Sequence, residues 1–149
     1  MFFTGSSDIT IDSKQRLAIP AKFRSKLDPA KDAAWFCVPW PGGILRLYPE
    51  SEFTSLAAGW NRTLIPNSQQ AELEAAVFGM AERIEMDSAG RITIPKGLLD
   101  MAGLGTEVAV VGAMNRLEVR DRGAWQAGQL DRFSKLQAMA EKFGGGKSE

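Results

Sequence analysis

Short runs of alternating apolar and polar residues occur in two sets along the chain, with stretches of helical spacing between and after them. In "DITI" Ile9 and Ile11 share one face of a strand, and "RIEM" before Asp87 alternates in the same way. Each run leads into an Asp-Ser pair, whose short side chains bond the backbone ahead and start a turn. A second strand follows, "RLAIP" or "RITIP". The period of two puts Leu17 with Ile19, and Ile92 with Ile94, on the inner face. Arg16 and Arg91 therefore fall on the outer one.

Pro20 and Pro95 cannot donate to a ladder but suit the start of a helix. "PAKFRSKLDP" then turns Phe23 and Leu27 inward, and "PKGLLDMAGL" does so with Leu98, Leu99 and Ala102 before a left-handed cap at Gly103. Two further strands complete each set, "WFCVP" with "ILRLY" and "EVAVVG" with "RLEVR", turning at Pro41-Gly42-Gly43 and between Gly112 and Asn115. Helical spacing recurs at Phe53, Leu56, Ala57 and Trp60, and at Leu73, Val77, Met80 and Ile84 after a cap at Asn67 or Ser68. It returns at Phe133, Leu136, Ala140 and Phe143. These stripes are expected to face either the core or a neighbouring subunit.

The two sets are copies. Asp12, Arg16, Ile19 and Pro20 match Asp87, Arg91, Ile94 and Pro95 at a constant offset of 75 residues, and Leu45, Leu47 and Phe53 match Leu117, Val119 and Trp125 at an offset of 72. The expected organisation is a first domain over residues 8–53 and connecting helices over 54–81. A second domain over 82–125, a C-terminal helix over 126–143 and a disordered tail over 144–149 follow.

Composition narrows the chemistry. With no histidine among 149 residues, Ser-His-Asp and Cys-His machinery is ruled out and the commonest zinc ligand is missing. No phosphate-loop glycine pattern or metal-ligand cluster appears, so an enzyme, a cofactor, a metal and a small-molecule substrate are not expected. Cys37 is the single cysteine and reads as a small buried hydrophobe of a reducing compartment. No apolar run approaches the roughly 20 residues that span a bilayer, and the opening residues lack a signal peptide's pattern. The expected location is the cytoplasm, without membrane contact.

Basic and acidic residues balance at 18 each, yet Lys14, Arg16, Lys22, Arg24 and Lys26 crowd around a single acid, Asp12, between residues 12 and 27. A basic patch on a neutral chain suits a focused phosphate-binding surface. An outward guanidinium beside a tight turn can donate two parallel bonds to guanine O6 and N7. It can equally pair with the Asp four positions earlier and brace the turn. Lys14 reads as a phosphate contact, and Lys22 and Arg24 as either phosphate contacts or a solvated helix face.

With its paired Asp-x-x-Gly-Arg-x-x-x-Pro motifs, the chain resembles the MraZ family, bacterial transcriptional regulators with two SpoVT-AbrB-type domains. "DSAGRITIP" fits the pattern throughout, whereas Gln15 stands at the glycine position of the first copy, where the backbone disfavours a side chain if φ is positive. The resemblance implies an α+β fold, a duplicated swapped-hairpin AbrB-type β-barrel with short flanking and connecting helices. It also implies ring-shaped homo-oligomers, association with the nucleoid, and binding of double-stranded DNA at short direct repeats upstream of the division and cell-wall gene cluster. Arg16 and Arg91 would make the DNA contacts, with Asp12, Asp87, Gly90, Pro20 and Pro95 shaping the turns. A second reading is an antitoxin-like module whose C-terminal helix wraps a partner protein.

Overall fold

The computed structural model describes residues 1–144. Its strands are β1 (Ser6–Thr10), β2 (Arg16–Ala18), β3 (Ala34–Trp40), β4 (Ile44–Pro49), β5 (Glu82–Glu85), β6 (Arg91–Thr93), β7 (Glu107–Gly112) and β8 (Leu117–Asp121). The helices are α1 (Ala21–Arg24), α2 (Glu50–Ala58), α3 (Ser68–Met80), α4 (Lys96–Ala102), α5 (Arg122–Ala127) and α6 (Gln129–Gly144).

Strands from the two copies interlock. β1 pairs antiparallel with β7 of the second copy, and β5 pairs antiparallel with β3 of the first. β4 joins β8 between them, giving a six-stranded sheet in the order β1-β7-β8-β4-β3-β5. β2 and β6 pair separately as a short ribbon. Leu17 lies opposite Ile92 in the ribbon and Arg46 lies opposite Glu118 in the sheet. Each of these pairs joins a residue to its own repeat equivalent, so a pseudo-two-fold axis runs through both.

The α+β swapped-hairpin arrangement is as expected, but the strands do not close into a hydrogen-bonded barrel. β1 and β5 remain free edges of the sheet, and the ribbon lies apart from it. The cause is local. β2 and β6 are three residues long and run almost at once into Pro20 and Pro95, which offer no N–H to extend a ladder. Side chains rather than backbone bonds close the structure: Leu17, Ile19, Ile92 and Ile94 from the ribbon meet Leu45, Leu47, Leu117 and Val119 from the sheet in one buried cluster.

The helices depart from expectation in three places. Ile84 belongs to β5 and is buried there, while α3 ends at Met80. That helix is capped by the Asn67 side chain, which accepts a bond from the Gln70 N–H at 2.8 Å, yet none of its residues is fully buried. Phe78 packs edge-on against Phe53 and Trp60 in a satellite aromatic cluster. The expected helix over 126–143 is broken at Gly128 between α5 and α6; its apolar stripe lies wholly on α6, which buries no residue at all. Gly144 closes α6; the remainder of the expected tail lies outside the described residues. None of the described helices is long and apolar enough to cross a membrane.

Candidate nucleic-acid interface

Each copy builds the same three-residue turn between its first two strands. The Asp12 N–H donates to the Arg16 carbonyl at 3.1 Å and the Gln15 N–H to the Asp12 carbonyl at 2.9 Å; in the second copy Asp87, Arg91 and Gly90 repeat these bonds at 2.8 and 3.0 Å. This pattern suits a turn whose last residue is left-handed. Gly90 has φ of 79° and Gln15 takes the same conformation at 63°, so glutamine does not alter the turn. The ribbon then locks the two turns together, because the Ile94 N–H donates to the Gln15 carbonyl and the Ile19 N–H to the Gly90 carbonyl, both at 2.9 Å.

Asp12 and Asp87 hydrogen-bond across these turns. One carboxylate oxygen of Asp12 accepts the backbone N–H groups of Lys14 and Arg16, each at 2.9 Å, while the other accepts Arg16 Nε at 2.7 Å. Asp87 does the same for Ala89, Arg91 and Arg91 Nε, all at 2.9 Å. The Arg16 and Arg91 backbone N–H groups, helped by the guanidiniums, hold the two carboxyls below the ordinary carboxylate range against a smaller opposing effect of burial. Both Asp side chains therefore stay charged at neutral pH.

This bracing and an outward reach are compatible. Each Asp takes only the Nε of its arginine, and the Nη1 and Nη2 groups of both arginines have no hydrogen-bond partner among the described residues. Arg16 lies opposite Thr93 and Arg91 opposite Ala18, so the two arginines occupy one outer face as diagonal neighbours. Diagonal positions on an antiparallel pair are about 7–8 Å apart. The side chains keep 31% and 36% of their surface exposed.

The other basic residues surround this face unequally. Lys14 projects from the first turn. Arg24 of α1 donates from Nε to the Ile19 carbonyl at 2.8 Å, and its guanidinium lies over Gly90 where a Cβ would approach within 2.6 Å. Glycine at 90 is thus favoured twice, by the backbone angle and by the position of Arg24. Lys22 is drawn away toward the N-terminal strand, donating to the Ser6 carbonyl at 3.0 Å and lying 5.1 Å from the Phe23 ring centre.

A second charged cluster went unread in the sequence. Arg116 and Arg120 look like ordinary surface there, but both hold Glu118, which is 3% exposed. Arg120 reaches one carboxylate oxygen at 2.7 Å and Arg116 the other at 2.9 Å, with Arg46 Nε 3.8 Å away. Arg46 itself lies over Trp40, its Cζ 3.7 Å from the ring centre. The cluster occupies the outer face of β4 and β8, across the core from the ribbon. The usable signal was the repeat itself, since Arg46 and Glu118 are equivalent positions on the innermost strands.

Two swapped hairpins interlocked within a single chain, each raising one guanidinium beside a braced turn, define a tandem AbrB-type protein. A family model described as "MraZ protein, putative antitoxin-like" matches residues 77–143. The chain is 36% identical to "Transcriptional regulator MraZ" of Neisseria gonorrhoeae over 126 residues, covering 84% of this chain and 83% of that protein. It is 31% identical to the regulator of the same name from Photorhabdus laumondii over 140 residues, covering 93% and 92%. The Ureaplasma parvum protein of that name is 31% identical over 142 residues, covering 95% and 96%. The chain belongs to the MraZ family of transcriptional regulators.

Proposed function

We propose that this protein regulates transcription by laying the β2–β6 ribbon in the major groove of promoter DNA, where Arg16 and Arg91 hydrogen-bond to guanine edges. The observation that carries this reading is the pair of unpaired guanidinium ends on one outer face. The major groove, about 12 Å wide, admits a two-stranded ribbon. Lys14 and Arg24 flank it as phosphate contacts, and Lys22 joins them by exchanging the Ser6 carbonyl for a phosphate. The family resemblance points to short direct repeats upstream of the division and cell-wall gene cluster as the target. The functional units are the AbrB-type segments 8–53 and 82–125, joined by 54–81 and followed by the helix 126–143. The protein acts in the cytoplasm at the nucleoid, by binding rather than by catalysis. Three phosphate contacts per chain predict that the logarithm of the binding constant falls with the logarithm of salt at a slope of about −2.7. Fluorescence anisotropy with a promoter duplex at several salt concentrations measures it; a slope near zero would exclude this mode of binding.

A single chain reads too few bases to find its promoter, and a ring facing repeated elements multiplies each contact through effective concentration. Support for assembly comes from α6, where Leu130, Phe133 and Phe143 are 83%, 77% and 76% exposed. An apolar groove of about 270 Å³, lined by residues including Tyr48, Phe53, Trp60, Leu73 and Phe78, lies against α2 and α3. Those two helices carry Glu50, Glu52, Glu72 and Glu74 with no basic residue, whereas α6 has one more basic than acidic residue. Insertion of α6 into the groove of a second copy would bury both surfaces in a head-to-tail contact, the kind that closes into rings. Phe133→Asp should therefore reduce the sedimenting mass of the parent assembly to that of smaller species. An unchanged mass would place the interface elsewhere, and a parent that sediments as a single chain would favour another protein as the partner of α6.

A further inference from the structure

We propose that Gln15 is a base-reading residue: its carboxamide hydrogen-bonds to an adenine edge beside the guanine held by Arg16, so the two ends of the ribbon read different base pairs. The proposal rests on the DNA-binding reading above and adds a specificity determinant to it.

Gln15 occupies a conformation that glycine adopts without strain and a side chain resists, with φ of 63°. No hydrogen bond among the described residues engages the side chain. The one contact to the ribbon, from the Ile94 N–H, is made by the backbone carbonyl, and Gly90 makes the equivalent bond without any side chain. Gln15 is half-buried, but its carboxamide has no hydrogen-bond partner among the described residues and is not among the buried unpaired polar groups, so its polar atoms reach solvent. It stands between exposed Lys14 and the DNA-facing Arg16, at the rim of a cleft of about 240 Å³ that separates the turn from α4. A left-handed side chain whose amide is unpaired among the described residues, and whose polar atoms reach solvent, points to an external ligand.

The second copy cannot offer the same group. The Arg24 guanidinium fills the space over Gly90, whereas the repeat equivalent of Arg24 is Leu99, buried in the core. One end of the ribbon thus presents a guanidinium with a carboxamide beside it, and the other presents two guanidiniums, those of Arg91 and Arg24. A glutamine carboxamide matches the N7 acceptor and N6 donor of adenine, as a guanidinium matches guanine. Protein two-fold symmetry is mirrored in palindromic sites. Unequal arms instead give the bound element a direction, which a direct repeat needs.

Selection from a randomised duplex pool, followed by anisotropy titration of single-base variants of the winning duplex, tests this for the parent, Gln15→Gly and Gln15→Glu. Gly is the residue the second copy already uses at this position, and thermal unfolding checks that both variants fold. The parent should prefer one adenine, next to only one of its guanines, by about 5- to 150-fold over other bases. Gln15→Gly should lose that preference while keeping those for the guanines, and Gln15→Glu should shift it toward cytosine, whose amino group a carboxylate accepts. Retention of the adenine preference by Gln15→Gly, or an equal loss of affinity for every duplex, would overturn the proposal and leave the arginine reading intact. A parent that enriches no sequence would overturn both.

Discussion

Replacing Arg16 and Arg91 together by alanine should reduce affinity for the preferred promoter element by about 25- to 20,000-fold, as a loss of about 1–3 kcal/mol per bidentate contact implies. Either single substitution should cost about 5- to 150-fold and relax the preference at one guanine position only. The salt slope should stay close to the parent value, because Lys14, Lys22 and Arg24 still neutralise phosphates. Stability should barely change. Each arginine side chain is about one-third exposed, and its partner Asp retains the backbone N–H bonds that define the turn. Titration against matched and single-base-substituted duplexes, beside thermal unfolding of the same samples, separates the two roles. A large fall in melting temperature with unchanged base preference would make the arginines braces and nothing more.

The outward direction of these arginines was legible because a strand's period of two leaves no choice once Leu17 and Ile92 are inside. The repeat was legible for a related reason: the Asp bracing, the left-handed turn residue and the Pro at the helix start are local requirements that each copy must meet alone. What the sequence could not show is how the copies meet. The pairing of β1 with β7 and of β5 with β3 crosses most of the chain, and no local pattern records it. The open sheet follows from that cross-pairing together with ribbon strands too short to join either edge. Nor could the pattern distinguish α6 from a core helix, since an apolar stripe suits a groove in another subunit as well as one in its own. Gln15 was visible as a departure from glycine, but its cost depended on an angle fixed by the Ile94 contact across the axis.

Glu118 illustrates the same limit and carries the largest expected effect on stability. In the sequence it alternates with Arg116 and Arg120, the mark of a solvated strand edge. Cross-pairing of the copies instead places it on the pseudo-axis, opposite Arg46 and covered to 3% exposure. Glu118→Gln would keep the shape and remove the charge, leaving three guanidiniums with side chains 19–29% exposed around a neutral amide. Breaking a buried ion pair from one side costs about 3–5 kcal/mol, and the partial solvation of the arginines places this case near about 3 kcal/mol. Urea midpoints at neutral pH would show it. Burial alone would raise the Glu118 carboxyl, but the hydrogen bonds and charges of Arg120 and then Arg116 outweigh it and leave the group below its ordinary value of 4.5. A carboxyl depressed in the folded state stabilises fully above its unfolded value and loses that contribution as pH falls through the folded one. The gap between parent and Glu118→Gln should therefore be constant at neutral pH and begin to narrow as acid is added below about pH 4.5, through loss from the parent rather than gain by the variant. Base preference should be the same in both proteins, because the cluster and the ribbon lie on opposite sides of the core. A variant as stable as the parent, or a gap indifferent to acid, would show that the arginines are held by solvation and by the rings under Arg46 (Trp40) and Arg120 (Trp125) instead of by the carboxylate.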